Sequence, residues 1–218
     1  MTGYPRSPLR GEHGEFGTLV PGVGDDYLRV QRVGDDAVGR IHLDVHVPEP
    51  DAAAERAIGL GATAAADPGL GYRVMASPAG LVFCLVSHRS ARVPPPMRWP
   101  QGQASRVDQV ALDLPRDVHG AEAVFWSALL GAPVTALDGA EFSAIDRRPE
   151  LPMRVLLHRL GEASGPARIH LDLATDDRPA EVARHLGLGA VQVVEHPQWT
   201  VLRDRAGLLY CVTDRRPA

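Results

Sequence analysis

The sequence predicts an α+β fold in two similar halves, each built from modules of the order strand–helix–strand–strand–strand, and three observations predict it. The heptapeptide GRIHLDV at Gly39–Val45 recurs as ARIHLDL at Ala167–Leu173. The recurrence keeps one spacing: Ile41 pairs with Ile169 and Leu60-Gly61-Ala62 with Leu188-Gly189-Ala190. After a single deleted residue, Gly80 and Cys84 pair with Gly207 and Cys211. It also runs upstream, where Gly3-Tyr4-Pro5 meets Gly131-Ala132-Pro133 and Leu28–Arg32 meets Val155–Arg159. Self-similarity at a fixed spacing marks a duplicated structural unit. Between the halves lies ARVPPPMRWPQGQAS, whose three consecutive prolines favour an extended, semi-rigid connector. The expected division is residues 1–90, a connector 91–105, and residues 106–218.

The second half shows the module order most fully. Val107–Leu114 alternates as a strand does, and GAEAVFWSALLG then puts Ala121, Val124, Phe125, Ala128 and Leu129 on one helical face and stops at Gly131. Strand-like runs follow near Val134–Leu137, Glu141–Ile145 and Met153–Leu160. The order restarts with a strand at Arg168–Ala174 and a helix at Pro179–Leu186 capped by Asp177. Runs near Val191–Glu195, Trp199–Arg203 and Leu208–Thr213 complete it. Gly59-Leu60-Gly61 and Gly187-Leu188-Gly189 each follow a helix, so they read as C-terminal caps and not as phosphate-binding glycines.

This order, with the phrases IHLD, LGLGA, WTVLRDRAGLLYCV and YRVMASPAGLVFCLV, resembles the vicinal oxygen chelate (VOC) superfamily of glyoxalases, bleomycin-resistance proteins and extradiol dioxygenases. It is most similar to tandem bacterial glyoxalase-like domains, over nearly the whole chain outside the connector. The resemblance implies a tandem VOC fold in which paired βαβββ modules curl into a cup that holds a ligand and often a divalent metal.

Bulk composition narrows the partners. The 218 residues carry a formal net charge of −4, with arginines scattered among carboxylates, so there is no basic stripe to neutralise phosphates and nucleic acid is not an expected partner. No apolar run approaches the roughly 20 residues of a membrane span, and the first residues lack an apolar signal-peptide core. A cytoplasmic protein with no membrane partner is expected; a homodimer stays open. Cys84 and Cys211 are the only cysteines and fall at matching positions, which argues against a disulfide framework. No G-x-S-x-G, H-E-x-x-H, P-loop or paired CxxC motif is present.

Strand alternation selects the candidate site. In RIHLDVHV, Ile41, Leu43, Val45 and Val47 share one face while His42, Asp44 and His46 share the other; His170 and Asp172 stand the same way in the second half. The apolar face belongs under helices and the polar face in the cup. The resemblance implies metal ligands on the first and last strand of each module, usually two His and two Glu. The matching positions are Gln109, His158, His170 and Cys211, with only Gln31, His42 and Cys84 in the first half. A zinc or iron ion on His158, His170 and Cys211 is chemically allowed. Loss of the hard carboxylate donors favours a cup with no obligatory metal or other cofactor. Asp44 and Asp172 are either acid–base groups beside their histidines or hydrogen-bond partners of a neighbouring strand, and the second reading is favoured. Trp199 and Tyr72 suit an apolar pocket wall, and Phe125-Trp126 suits the core.

The first expectation is therefore a small-molecule binder using the second cup. The alternatives are a metal-dependent lyase, isomerase or dioxygenase, and a scaffold that binds nothing. Occupancy should be unequal, because the first half has Gln31 where the second has His158. The segment Val107–Leu130 has only Met1 and Thr2 as counterpart, so the first half should expose a sheet edge. An upstream strand and helix are expected to fill it, or else cover from the second half or a partner.

Overall fold

The computed structural model describes residues 1–34, 39–87, 92–146 and 151–217. The first half contains β1 (Phe16–Leu19), β2 (Leu28–Gln31), β3 (Leu43–His46), α1 (Pro50–Gly59), β4 (Thr63–Ala66), β5 (Arg73–Ala76) and β6 (Val82–Val86). After β7 (Met97–Arg98) the second half runs β8 (Ala104–Leu114), α2 (Arg116–Leu130), β9 (Val134–Ala136), β10 (Phe142–Ile145) and β11 (Arg154–Arg159). It continues with β12 (Arg168–Thr175), α3 (Arg178–Gly187), β13 (Val191–Glu195), β14 (Trp199–Arg203) and β15 (Leu209–Thr213). This is an α+β fold, with βαβββ appearing twice in the second half. The boundary expected at residues 90 and 91 lies outside the described residues. Ala104 and Ser105, expected in the connector, belong to β8, which also pairs with Met97 and Arg98.

The second half forms one curved sheet in the order β13-β14-β15-β12-β8-β11-β10-β9. Its two modules meet where β12 runs antiparallel to β8. Each module closes on itself through a parallel pair, β11 with β8 and β15 with β12. In the first half β3-β6-β5-β4 make one sheet and β1-β2 another. The counterparts of β2 and β3 are β11 and β12, which are joined by β8. No described strand joins β2 to β3; the Arg29–Asp44 ion pair (3.2 Å) reaches across.

Local chemistry explains the helices. Asp177 caps α3 by accepting from Ala180 N (3.0 Å), satisfying one of the free N–H groups at a helix start. Gly131 ends α2 in the left-handed region (φ 65°), which glycine enters without a Cβ clash. Gly61 and Gly189 likewise follow the ends of α1 and α3 at positive φ.

The buried face of α2 differs from the one its apolar residues predict. Val124 is 69% exposed, and Ala121 and Ala128 are exposed too, whereas Glu122, Phe125 and Trp126 are buried. The reason is a contact between the halves that helical periodicity cannot report. Phe83 of β6 packs on Trp126 (ring centroids 5.1 Å) and Phe125 (5.9 Å). Glu122 accepts from Ala79 N and from Trp126 Nε1, both at 2.8 Å, so its carboxylate is buried with both oxygens bonded. One core thus contains Ala53, Ala57, Met75 and Leu85 of the first half beside Leu112, Leu114 and Leu157 of the second, with Leu43, Val45 and Val47 against it. A second core lies under α3, from Leu173, Val182, Leu202, Tyr210 and Val212.

Candidate functional site

The concave face of the second-half sheet is polar because of register. Cys211, Asp172, Gln109 and Arg154 stand side by side on β15, β12, β8 and β11. Four residues further along, Asp113 on β8 pairs with His158 on β11. His170 lies between these rows, opposite Ala111. The apolar side chains at alternating positions, Leu112 and Leu157 among them, turn into the core behind.

These groups form one chain of hydrogen bonds and one ion-pair contact. Asp113 accepts from His158 Nδ1 through Oδ1 (2.7 Å) and from His170 Nδ1 through Oδ2 (2.8 Å). Gln109 donates to Asp172 Oδ2 and accepts from Arg154, whose Nε lies at 2.7 Å. His170 Nε2 lies 3.2 Å from Asp172 Oδ1, and Cys211 is close by, with donor atoms of all three residues within 4.8 Å of one another. The distance to Asp172 Oδ1 suits an ion pair, but the oxygen has no partner with hydrogen-bond geometry.

Charge follows from these contacts. Burial works against the His170 cation, but the hydrogen bond to Asp113 and the proximity of Asp172 and Cys211 outweigh it and push the pKa up to about 12. Burial works against the Asp113 carboxylate as well, and its two histidine donors hold it well below the usual carboxylate range. Burial pushes the Cys211 thiol up, with His170 opposing, so at neutral pH it is a thiol.

Aromatic rings bridge the two modules of this sheet. Phe142 of β10 stacks on His158 (4.7 Å, 28°) and meets Trp199 of β14 edge-on (5.8 Å). Trp199 in turn stacks on His196 (4.5 Å). The four rings run from one module to the other.

Of the residues selected by sequence, the structure brings Gln109, His158, His170, Asp172 and Cys211 onto one concave face, with Trp199 at its rim. It joins His158 to the group through Asp113; the donors that converge are His170, Asp172 and Cys211, whose ligand atoms lie within 4.8 Å of one another. Asp113, Arg154 and Phe142 were not selected. Asp113 was legible in principle, since it shares the alternation face of Gln109 within the predicted strand. Arg154 and Phe142 depend on inter-strand register, which no local pattern encodes.

The first half repeats the convergent group in a more open form. His42, Asp44 and Cys84 also have donor atoms within 4.8 Å of one another, but His42 and Asp44 are exposed. The hydrogen bond to Asp44, then that to Cys84, raises the His42 pKa to about 9 against the opposing effect of burial. Gln31 lies on β2, in a different sheet from Asp44 and Cys84, and lines a surface cleft with Arg6, Leu9 and Arg32. Tyr72 is half-buried one residue before β5, whereas its counterpart Trp199 begins β14.

A family model described as a glyoxalase-like domain matches residues 1–86 and 109–213. No curated protein matches the sequence. Among solved structures, the Mn(II)-bound glyoxalase from Novosphingobium aromaticivorans is similar with a TM-score of 0.66 at 18% identity, over 96% of this chain and 74% of that one. A 4-hydroxymandelate synthase mutant from Streptomyces coelicolor gives 0.56 at 17%, over 94% and 81%. An extradiol ring-cleaving dioxygenase from B. fuscum gives 0.63 at 14%, over 99% of this chain and 65% of that one. At these identities the likeness establishes the fold and not the chemistry.

Proposed function

The chain belongs to the glyoxalase-like domain family, and from that premise we propose that its second-half cup binds a small organic molecule without an obligatory metal. The observation that carries this reading is the self-sufficiency of the cup floor. His170 is held between Asp113 and Asp172, and Arg154 reaches Asp172 through Gln109, so the floor balances its charges with its own side chains. A concave polar floor beneath aromatic walls is the usual make-up of a small-molecule site. Phe142, Trp199 and His196 supply the apolar walls; His158, 27% exposed in its side chain, is the floor histidine most open to a ligand.

A second reading is favoured by one atom. Asp172 Oδ1 is buried without a hydrogen-bond partner, and with His170 Nε2 and Cys211 Sγ it forms a mixed O/N/S donor set that suits zinc or ferrous iron. When bound, such an ion would supply Lewis acidity to a ligand in the cup. To hold it, His170 and Cys211 would each have to give up a proton, so affinity would rise with pH.

Two measurements decide between the readings. With chelator-treated protein, a panel of small organic molecules should include members that raise the melting temperature, because a ligand that prefers the folded state stabilises it. The shift should fall in Phe142→Ala. Stoichiometric zinc or iron in protein purified without added metal, lost in His170→Ala, would overturn the metal-free reading. No shift across the panel would overturn ligand binding.

A further inference from the structure

The two cup histidines are held differently, and the difference is chemical. Both nitrogens of His170 face carboxylates: Nδ1 lies 2.8 Å from Asp113 and Nε2 3.2 Å from Asp172. With both nitrogens taken up by carboxylates, that ring has no nitrogen free to face a ligand. His158 is bonded at one nitrogen alone, with Nδ1 2.7 Å from Asp113 Oδ1. An ionised carboxylate can only accept, so the proton of neutral His158 sits on Nδ1 and the lone pair on Nε2. Among the described residues Nε2 has no hydrogen-bond partner, and the face of the ring carries Phe142.

We propose that Asp113 and His158 form a general-base dyad in which His158 Nε2 takes a proton from a flat aromatic ligand lying along the Phe142–Trp199 wall. The proposal rests on the second-half cup being a small-molecule site and gives it an activity. Asp113 is the positioning residue: it fixes the tautomer and the ring plane, and His170 balances its charge so that the carboxylate remains an acceptor. The ladder supports this rigidly, because Asp113 and His158 are direct cross-strand partners in the parallel β8–β11 pair. The ligand class follows from the walls, where Phe142, Trp199 and His196 offer ring faces and edges that a planar molecule can stack on.

The test uses 5-nitrobenzisoxazole, a flat carbon acid whose ring opening needs a base and no co-reactant. His158 Nε2 takes the proton from C3, the C–H electron pair becomes part of the nitrile, the N–O bond breaks and the oxygen leaves as a phenolate. General bases contribute about 10²–10⁴-fold, so His158→Gln should lower the turnover of chelator-treated protein by about a hundredfold at an unchanged melting temperature. Asp113→Asn, which can donate to Nδ1 and so drive the proton to Nε2, should lower it similarly. Independently of any ligand, the ¹⁵N spectrum of the full chain should show His158 protonated at Nδ1 in the wild type and at Nε2 in Asp113→Asn. A wild-type proton on Nε2 overturns the dyad. So does turnover that is absent or indifferent to His158→Gln. If the spectrum is as expected but neither the probe nor the ligand panel shifts the melting temperature, the dyad's activity falls together with the cup reading. If ligands bind and turnover is indifferent to His158, the dyad alone falls.

Discussion

Glu122 is one of the side chains that tie the two halves together, and its removal should destabilise the protein measurably. Its carboxylate is fully buried and accepts one hydrogen bond from the first half, Ala79 N, and one from its own helix, Trp126 Nε1, each 2.8 Å long. Glu122→Ala leaves one buried N–H donor, on Trp126, and one half-buried, on Ala79, without acceptors, at about 1–3 kcal/mol each. Relief of the carboxylate's own burial cost offsets part of this, so the net loss should be about 3 kcal/mol. For a protein of this size 1 kcal/mol moves the melting temperature by roughly 2–4 °C, which puts the shift at about 6–12 °C. Glu122→Gln keeps one acceptor oxygen and turns an amide toward the other donor, so it should fall between the wild type and Glu122→Ala. Calorimetry combined with Trp126 fluorescence measures both. If Glu122→Ala loses less than about 1 kcal/mol, or if Gln is no better than Ala, the two-bond account of this carboxylate is wrong.

Three further outcomes are expected. His170 has a folded pKa raised to about 12, so its contribution to stability is full below its unfolded value of about 6.5 and is lost as the pH rises toward the folded value. The gap in urea midpoint between wild type and His170→Gln should therefore shrink from pH 7 to pH 10, and a widening gap would contradict the assigned charge. Asp113, with a depressed folded pKa, contributes above its unfolded value of about 3.9 and loses that contribution as the pH falls below it, so Asp113→Asn and wild type should converge in urea midpoint on acidification. Asp177→Ala removes the acceptor for Ala180 N and should cost about 1 kcal/mol in chemical denaturation, with no effect on ligand-induced shifts in the cup.

The sequence by itself determined the repeat, the βαβββ order and the polar strand face. Each is written in local periodicity: alternation puts His170 and Asp172 opposite Ile169 and Leu171, and the constant spacing from Ile41 to Ile169 identifies the duplication. The sequence could not say which face of α2 is buried, because Phe83 and Ala79, which bury Trp126 and Glu122, come from the other half of the chain. Nor could it pair Asp113 with two histidines or set Arg154 beside Gln109. Those contacts exist only once β8 has been placed between β11 and β12 in one register. A shift of a single residue would turn Asp113 into the core and bring Leu112 or Leu114 to the cup. Local pattern fixes which way a side chain points, and tertiary register fixes what it meets. In this protein the chemistry of the cup depends on the second.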